Sequence, residues 1–354
     1  AGKWNGSNPM RQAVMTKPGH IEFQRVAEPV PGPGEILLRI RKIGVCGSDI
    51  HVWHGQHPFT PYPVVQGHEY SGEVVSVGQC VTGIRPGMKA TAAPQIVCGV
   101  CKPCQRGDYH ICDKLKVRGF QAPGCAQDLF IVPENRIVVF PDALSYEQGA
   151  LIEPAAVAAH TTSRVATIRG RNVVVFGAGT IGNLVAQAAK CRGAKKVMIT
   201  DLSDFRLKKA LDAGIDAACN VKTEDLKAKL ASVFGDEGYD LAFECAGVEA
   251  SLDNAVQYIQ KGGEIVVVAV YGGRPRVDMS VVGDRELKLI GTLMYQQADY
   301  RQAVEWISSG AMVTAPLVTA HFPFEAYADA YHYIEHHGDS TLKVIIDLDA
   351  VGTK

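Results

Sequence analysis

The chain has almost no net charge. Its 36 lysine and arginine residues nearly balance 37 aspartate and glutamate residues, which leaves a formal net charge of −1 over 354 residues. A protein without an excess of positive charge offers no broad electrostatic attraction to nucleic acid or to an anionic membrane surface. We therefore expect no nucleic-acid partner and no membrane partner.

Long apolar runs are also lacking. No stretch approaches the roughly 18 apolar residues of a membrane-spanning helix, and no charged-then-apolar secretory signal opens the sequence. We therefore expect a cytoplasmic protein, in which the ten cysteines bind metal or stay free rather than form disulfides. Residues 1–9 carry no pattern, and we exclude them from the fold prediction as a leader.

The hydrophobic patterning changes once along the chain. Between residue 10 and about residue 141, short apolar runs are broken by proline and glycine, which indicates a β-rich region. From residue 172, apolar strands alternate with helical stretches, as in a doubly wound parallel sheet. The expected strands are 35–40, 72–77, 173–176, 196–200, 241–244 and 264–269; the expected helices are 180–191 and 204–213, with a capping box at Ser145 and Gln148.

Four cysteines with short spacers form the most specific local motif. They are Cys98, Cys101, Cys104 and Cys112. Four thiolates in one short loop can complete a tetrahedron around Zn²⁺, and such a closed site stabilises the fold without a catalytic water. Two disulfides are the alternative, but two-residue spacers favour a shared metal ion. This pattern predicts a structural zinc site.

A glycine motif between a strand and a helix predicts a dinucleotide site. Gly177, Gly179 and Gly182 form G-x-G-x-x-G. Such glycines permit the tight turn, the approach of the pyrophosphate and close packing of helix against strand. Thr180 and Ile181 begin the helix, whose free N–H groups suit phosphate.

An acidic residue at the end of the next strand bears on cofactor choice. Asp201 suits the two ribose hydroxyls of NAD and repels the 2′-phosphate of NADP. Arg206 could instead cover the adenine or support NADP, but Asp201 argues for NAD.

A second metal site is indicated by a mixed set of side chains. Cys46, His68 and Glu153 offer one thiolate, one imidazole and one carboxylate, which can hold Zn²⁺ and leave a position for substrate. This set differs from the four-cysteine loop as a catalytic zinc site differs from a structural one.

These motifs together give the chain a family resemblance. The sequences are C-G-S-D-I-H at 46–51, G-H-E-Y-S-G at 67–72, I-E-P at 152–154, G-A-G-T-I-G at 177–182 and D-L-S-D-F-R at 201–206. With the cysteine loop, they resemble the zinc-dependent medium-chain dehydrogenase/reductase (alcohol dehydrogenase) family, nearest its sorbitol/polyol and threonine/butanediol branches.

The resemblance implies an α/β fold of two domains with the reaction cleft between them. A GroES-like, β-rich catalytic domain would comprise residues 10–160 and a C-terminal return at 297–354. A Rossmann NAD-binding domain would comprise residues 161–296. The resemblance also implies two zinc ions per chain and a homodimer or homotetramer.

The same resemblance assigns the ligands of the catalytic zinc. Cys46 and His68 would bind the metal directly, whereas Glu69 and Glu153 compete for the remaining protein position. Ser48 follows Cys46 by two residues and would accept the alcohol proton, which His51 would pass through the ribose hydroxyls toward solvent.

The substrate is less closely specified than the reaction. The expected reaction is oxidation of a secondary alcohol (polyol, cyclitol or sugar-derived) to a ketone, with hydride transfer to NAD. Trp53, Phe120 and Tyr295 are candidate pocket residues. Polyol dehydrogenases typically have Arg-Tyr where this chain has Met294-Tyr295, so a guanidinium donor for a sugar hydroxyl is missing.

Other functions remain open at this stage. An L-threonine 3-dehydrogenase or a butanediol-type dehydrogenase would use the same chemistry in a different pocket. A non-catalytic zinc-binding module, including one for nucleic acid, is a remote alternative that the charge balance and the complete mixed ligand set oppose.

Overall fold

The computed structural model describes residues 9–348, so residues 1–8 of the predicted leader 1–9 lie outside the described residues. Contacts within the chain divide it into two compact units. Within the described residues, the first unit contains residues 9–153, Val318–Gly338 and residues 343–348. The second contains Pro154–Leu317 and Asp339–Leu342.

The helices and strands follow in chain order. The first part contains β1 (Pro9–Lys17), β2 (His20–Ala27), β3 (Glu35–Val45), α1 (Gly47–Trp53), β4 (Glu69–Val77), β5 (Lys89–Ala92), β6 (Gln95–Ile96), α2 (Lys102–Gln105), β7 (Lys116–Val117), β8 (Leu129–Pro133), β9 (Ile137–Val139), α3 (Tyr146–Ala150) and α4 (Ile152–Ser163). The middle part contains β10 (Asn172–Phe176), α5 (Thr180–Cys191), β11 (Lys196–Asp201), α6 (Asp204–Asp212), β12 (Ala217–Asn220), α7 (Leu226–Phe234), β13 (Leu241–Glu244), α8 (Glu249–Tyr258), β14 (Glu264–Val267), α9 (Met279–Asp284), β15 (Lys288–Gly291) and α10 (Gln297–Ser308). The last part contains β16 (Val318–Pro323), α11 (Tyr327–His336) and β17 (Lys343–Asp347).

A seven-stranded sheet organises the first unit. Its order is β16-β17-β3-β4-β5-β9, and β8 also pairs with β3. The long strand β3 is antiparallel to β4, β8 and β17, so it links the two ends of the chain. Buried aliphatic and aromatic side chains from the sheet, α1 and α11 form one core. The predicted β-rich region is therefore confirmed.

A six-stranded parallel sheet organises the second unit. Its order is β12-β11-β10-β13-β14-β15, and every neighbouring pair of strands is parallel. The central strand β10 is buried along its whole length, as expected for a strand with helices on both faces. This is the predicted doubly wound sheet.

The strands and helices that local patterns predicted are all present, with ends that differ by no more than about five residues. The predicted helix 180–191 coincides with α5, and the predicted strand 196–200 with β11. The capping box is also present, since the Ser145 hydroxyl accepts the Gln148 N–H and the Gln148 side chain accepts the Ser145 N–H.

The domain boundary requires a correction. The sequence placed the division at residue 160 and the return to the first domain at residue 297. The units instead divide after Glu153 and after Leu317. The reason is that α10 packs inside the second unit, where its Asp299 carboxylate lies 3.0 Å from Nδ1 of buried His160.

Between residues 9 and 348, the helices are all too short or too polar to cross a bilayer.

Candidate active site and metal centres

The four cysteines of the 98–112 loop come together as predicted. Their sulfur atoms all lie within 4.8 Å of one another. The Sγ of Cys112 is 3.9 Å from that of Cys101 and 3.5 Å from that of Cys98, and all four cysteines are free. Zn–S bonds of about 2.3 Å in a tetrahedron place sulfurs about 3.8 Å apart, whereas a disulfide joins them at about 2.05 Å. The loop therefore fits a tetrahedral metal ion.

Backbone N–H groups point at these sulfur atoms. The N–H of Cys101 donates to Sγ of Cys98 at 3.4 Å, and the N–H of Cys98 and of Lys114 donate to Sγ of Cys112 at 3.3 Å. Hydrogen bonds from Val100 and Cys101 lower the pKa of Cys98 to about 6. Because donated hydrogen bonds favour the thiolate, Cys98 is held in the form that binds metal. Desolvation and a hydrogen bond with Cys101 instead raise the pKa of Cys104 to about 12, so its thiolate requires the charge of a bound metal ion.

A second ligand group is formed by Cys46, His68 and Glu69. One ligand atom from each lies within 4.8 Å of the other two. Cys46 caps the N-terminus of α1 directly after β3, Glu69 begins β4, and His68 immediately precedes it. Since β3 and β4 are antiparallel, the end of one strand lies beside the start of the other, and Gly44 pairs with Glu69. One thiolate, one imidazole and one carboxylate fit zinc with an open position.

Two buried polar atoms beside this group support a metal ion. Oδ1 of Asp49 and Nδ1 of His68 are 3.6 Å apart, and neither has a hydrogen-bond partner among residues 9–348. The other oxygen of Asp49 accepts the Cys46 N–H at 2.9 Å. A carboxylate behind a histidine typically fixes the ring that binds the metal. The acid three residues after Cys46 was the sequence signal for Asp49, which the motif analysis did not use.

Charge controls the protonation of the buried imidazole. Burial acts to lower the pKa of His68, but Asp49, the hydrogen bond with Cys46 and the charge of Glu153 outweigh it, so that the pKa is raised well above its usual value. For Asp49, burial acts in the other direction and raises the pKa. A bound cation would replace the proton as the positive charge in this pocket.

The two glutamates that the sequence left as alternatives take different positions. Glu69 belongs to the ligand group, whereas Glu153, at the start of α4, is not a member of either ligand group found within residues 9–348. Glu153 is nevertheless buried, and its charge acts on His68 and Lys343. The geometry therefore favours Glu69 as the nearer carboxylate.

Lys343 is a charged neighbour that the sequence analysis missed. This residue begins β17 and is 3% exposed, and its ammonium pairs with Oε2 of Glu69. Burial acts to lower its pKa, but Glu69, Cys46 and Glu153 outweigh burial and raise it. A lysine opening an apolar strand was the only sequence signal.

The predicted proton path lies on α1. Ser48 is half-buried in the first turn of the helix, and His51 is exposed one turn later. Residues three apart share one face of a helix, so the two side chains can lie in line. The structure thus places a hydroxyl next to Cys46 in the chain and an imidazole at the surface.

The predicted pocket residues separate into two groups. Phe120 stacks on His57, with ring centroids 4.9 Å apart, and contacts the ring of His68 at 5.0 Å. It therefore forms a wall beside the candidate ligand His68. Trp53 instead belongs to the core of the first unit, where it packs against Tyr331 of α11 at 5.3 Å.

Tyr295 is also a core residue, here of the second unit. Its side chain is 1% exposed, and its ring meets that of Tyr300 edge-on at 5.1 Å. Ordinary packing therefore accounts for the rings of Tyr295 and Trp53.

The glycine motif forms the turn that the sequence predicted. Gly177 has φ +98°, and a Cβ there would lie 2.9 Å from the N atom of Ala246. A Cβ at Gly182 would overlap the carbonyl oxygen of Gly177, so helix and strand need this close approach. A Cβ at Gly179 would meet nothing within 4 Å. Gly179 is the N-cap of α5, whose first residues are Thr180 and Ile181, and this open space suits a phosphate.

Asp201 is held against the same turn. One oxygen accepts the Ala178 N–H at 2.7 Å, and the other accepts the N–H of Leu202 and of Ser203 at 2.8 and 2.9 Å. These bonds fix the carboxylate at the end of β11. Arg206 lies in the first turn of α6, where its N–H donates to the Ser203 hydroxyl.

Comparisons with known proteins agree with this architecture. Residues 32–142 match the alcohol dehydrogenase GroES-like domain, and residues 180–309 match the zinc-binding dehydrogenase domain. The chain is 33% identical to sorbitol dehydrogenase 2 of Saccharomyces cerevisiae over 352 residues, which covers 96% of this chain and 98% of that protein. It is 30% identical to L-threonine 3-dehydrogenase of Rhizobium johnstonii, covering 96% of this chain and 99% of that protein.

Solved structures of dehydrogenases are also similar to this chain, and they include one complexed with NADH and one bound to NADP. An alcohol dehydrogenase of Escherichia coli CFT073 complexed with NADH has a TM-score of 0.90 and 28% identity, covering 97% of this chain and 100% of that chain. A zinc-binding dehydrogenase of Sinorhizobium meliloti 1021 bound to NADP has a TM-score of 0.87 and 26% identity, covering 96% of this chain and 100% of that chain. The chain therefore belongs to the zinc-dependent medium-chain dehydrogenase family and is an oxidoreductase of the alcohol dehydrogenase type.

Proposed function

We propose that this protein oxidises a secondary alcohol of a polyol, cyclitol or sugar-derived substrate to a ketone, with NAD as the hydride acceptor. The observation that carries the proposal is the group of Cys46, His68 and Glu69, supported by Asp49. These residues would hold a catalytic zinc ion. Zinc supplies the Lewis acidity that makes an alcohol proton easier to remove.

The residues around this group would perform the remaining tasks. Phe120 covers the ring of His68 and excludes water from one side of the site. Ser48 would accept the proton of the alcohol through its hydroxyl. His51 is exposed and would exchange that proton with solvent.

NAD is the proposed cofactor because of the fixed carboxylate of Asp201. Its oxygens are held by backbone N–H groups at the edge of the glycine turn, which directs negative charge toward the position of the adenosine ribose. A 2′-phosphate at that position would be repelled. Arg206 on the following helix is the residue that opposes this preference.

A threonine- or butanediol-type dehydrogenase is the second candidate. Two observations favour it. Met294 offers no guanidinium for a sugar hydroxyl, and a relative that is 30% identical is an L-threonine 3-dehydrogenase. The chemistry at Cys46, His68 and Glu69 would be unchanged.

Assembly and location belong to the same proposal. Within residues 9–348, β15 ends the parallel sheet with a strand on one side only. An open strand edge can pair with a second copy of the chain, which is consistent with a homodimer or homotetramer. A cytoplasmic location would keep the thiols of the metal ligands reduced.

A substrate panel tests the proposed reaction. Polyols, inositols and sugar acids should reduce NAD with higher kcat/KM than threonine or 2,3-butanediol, measured as NADH absorbance. A preference for threonine or butanediol would establish the second candidate instead. No NADH formation with any secondary alcohol, in protein that carries its full zinc content, would exclude both.

Metal analysis tests the two zinc sites. We expect two zinc ions per chain. Cys101→Ser should remove one and lower the thermal midpoint, because three thiolates cannot close the tetrahedron. His68→Ala should remove the other and leave the fold largely intact. Cys80→Ser, at an exposed cysteine outside both groups, is the matched control and should retain both ions. Full activity with one zinc ion or none would contradict the assignment.

Neutralising Asp201 tests cofactor choice. Asp201→Asn keeps the shape of the side chain and one oxygen acceptor but removes the charge. The ratio of kcat/KM for NAD over NADP should fall roughly tenfold, about 1.4 kcal/mol, because the 2′-phosphate is no longer repelled. A wild-type protein that already uses NADP more efficiently than NAD would show that Asp201 does not decide the cofactor.

Removing the Ser48 hydroxyl tests the proton path. Ser48→Ala should lower kcat by about 10²- to 10⁴-fold, the usual contribution of a positioned acid–base group. Zinc content and NAD affinity should stay near wild type, and Ser48→Thr should retain most of the activity. His51→Gln should cost less, because solvent and added buffer base can replace an exposed relay. Near-normal kcat in Ser48→Ala, with chemistry limiting the rate, would rule the path out.

A further inference from the structure

The ion pair between Glu69 and Lys343 joins one candidate ligand of the catalytic metal to the last strand of the fold. The Lys343 side chain is 4% exposed and that of Glu69 is 2% exposed. The same ammonium donates to the carbonyl oxygen of Val45 at 3.0 Å, directly before Cys46. The ammonium of Lys343 therefore contacts both β3, at Val45, and β4, at Glu69.

Strand register explains how the two side chains meet. Strand β3 lies between β4 and β17, and Gly44 pairs with Glu69 on one side and with Ile345 on the other. Residues two apart on a strand share a face, so Lys343 lies on the same face as Ile345, Gly44 and Glu69. The pair thus passes over the backbone of the central strand.

Gly44 provides the space for this pair. A Cβ at Gly44 would lie 2.5 Å from Oε2 of Glu69 and 3.3 Å from Cδ of Lys343. Any other residue at this position would push the carboxylate away from the ammonium. The position of the Glu69 carboxylate therefore depends on the absence of a side chain at Gly44 in β3 and on the ammonium of Lys343 in β17.

The positive charge of Lys343 also affects how Glu69 can bind a metal ion. Cys46, Glu69 and Glu153 all act on Lys343 electrostatically, so the ammonium is the positive group that faces the acidic side of the site. A carboxylate has two oxygens and can bind a metal through one or through both. Because the ammonium of Lys343 draws negative charge toward Oε2, Oε1 is left as the better donor to a metal ion.

We propose that Lys343 is a positioning residue that limits Glu69 to a single metal-binding oxygen and so keeps one position on the metal open for substrate. This inference rests on the proposed catalytic metal at Cys46, His68 and Glu69. A zinc ion needs three protein ligand atoms and one open position for catalysis, and a second carboxylate oxygen would occupy that position.

Cobalt substitution of Lys343→Met tests the proposal. Met removes the charge and keeps a similar apolar volume. Each protein is loaded with Co²⁺ and compared with the same protein carrying Cys46→Ser, so that bands from the four-cysteine loop cancel. The visible d–d bands of Lys343→Met should weaken relative to wild type, because Co²⁺ gains a ligand atom. Chelator competition should show Co²⁺ bound about tenfold more tightly or better, since a nearby like charge is gone.

Two further variants separate this role from a structural one. Lys343→Met with Glu69→Gln should restore the intensity of the wild-type bands, because an amide offers one oxygen ligand and needs no buried counter-ion. Lys42→Met removes another lysine–carboxylate pair between β3 and β17, with Asp347 at 2.8 Å, and should leave the bands unchanged. The double variant also provides a folded protein if the single variant is unstable.

The outcomes distinguish the two claims. Unchanged bands and affinity in Lys343→Met, or weaker Co²⁺ binding, would overturn the role of Lys343 while leaving the metal site in place. If the wild-type protein has no thiolate-to-cobalt absorption that Cys46→Ser removes, the catalytic metal itself is refuted.

Discussion

The pairing of β17 with β3 is the contact on which the first unit depends. Lys343 and Val45 are 298 residues apart in the chain, yet they are joined by a hydrogen bond, and their strands run side by side. This pairing extends the seven-stranded sheet with residues from the far end of the sequence. It also places the buried ammonium of Lys343 beside Glu69, at the end of β3.

Buried negative charge is the main electrostatic feature of that site. Cys46, Asp49, Glu69 and Glu153 are all able to carry negative charge within a small region, and the last three are buried. Unpaired buried carboxylates are costly, so a fold that gathers them must also supply positive charge. Lys343 supplies one positive charge from the chain, and a divalent metal ion would supply two more. The buried carboxylates, the lysine and the metal preference thus have one physical cause.

The two candidate metal sites are constructed in different ways. The cysteine loop places its four ligands within residues 98–112, and local N–H groups point at the sulfurs. The other group takes Cys46 from the end of one strand and His68 and Glu69 from the start of the next. A loop can form its site with little help from the rest of the fold, whereas the second group requires the sheet to be in register. This difference suits a structural role for the first and a reactive role for the second.

Much of the fold could be predicted because its signals are local. Apolar periodicity located β10, α5 and β11, since strand and helix patterns repeat over a few residues. The glycine turn was equally clear, because Gly177 and Gly182 are required by sterics within six residues of each other. The return of the chain at Val318 was misplaced because α10 has an ordinary amphipathic pattern, and only its packing assigns it to the second unit.

The sequence by itself determined which reactive groups this protein has: four thiolates in one loop, a thiolate and an imidazole in a second candidate metal site, and a carboxylate on the strand after the glycine turn. Tertiary structure alone decided which carboxylate lies nearest Cys46 and His68, and which cation faces it. The physical reason is that Glu69, Gly44 and Lys343 meet through strand register. Contacts between strands that are distant in the sequence produce no periodic pattern in it. The sequence therefore identifies Lys343 only as a strand residue, and its contact with Glu69 is seen only in the folded sheet.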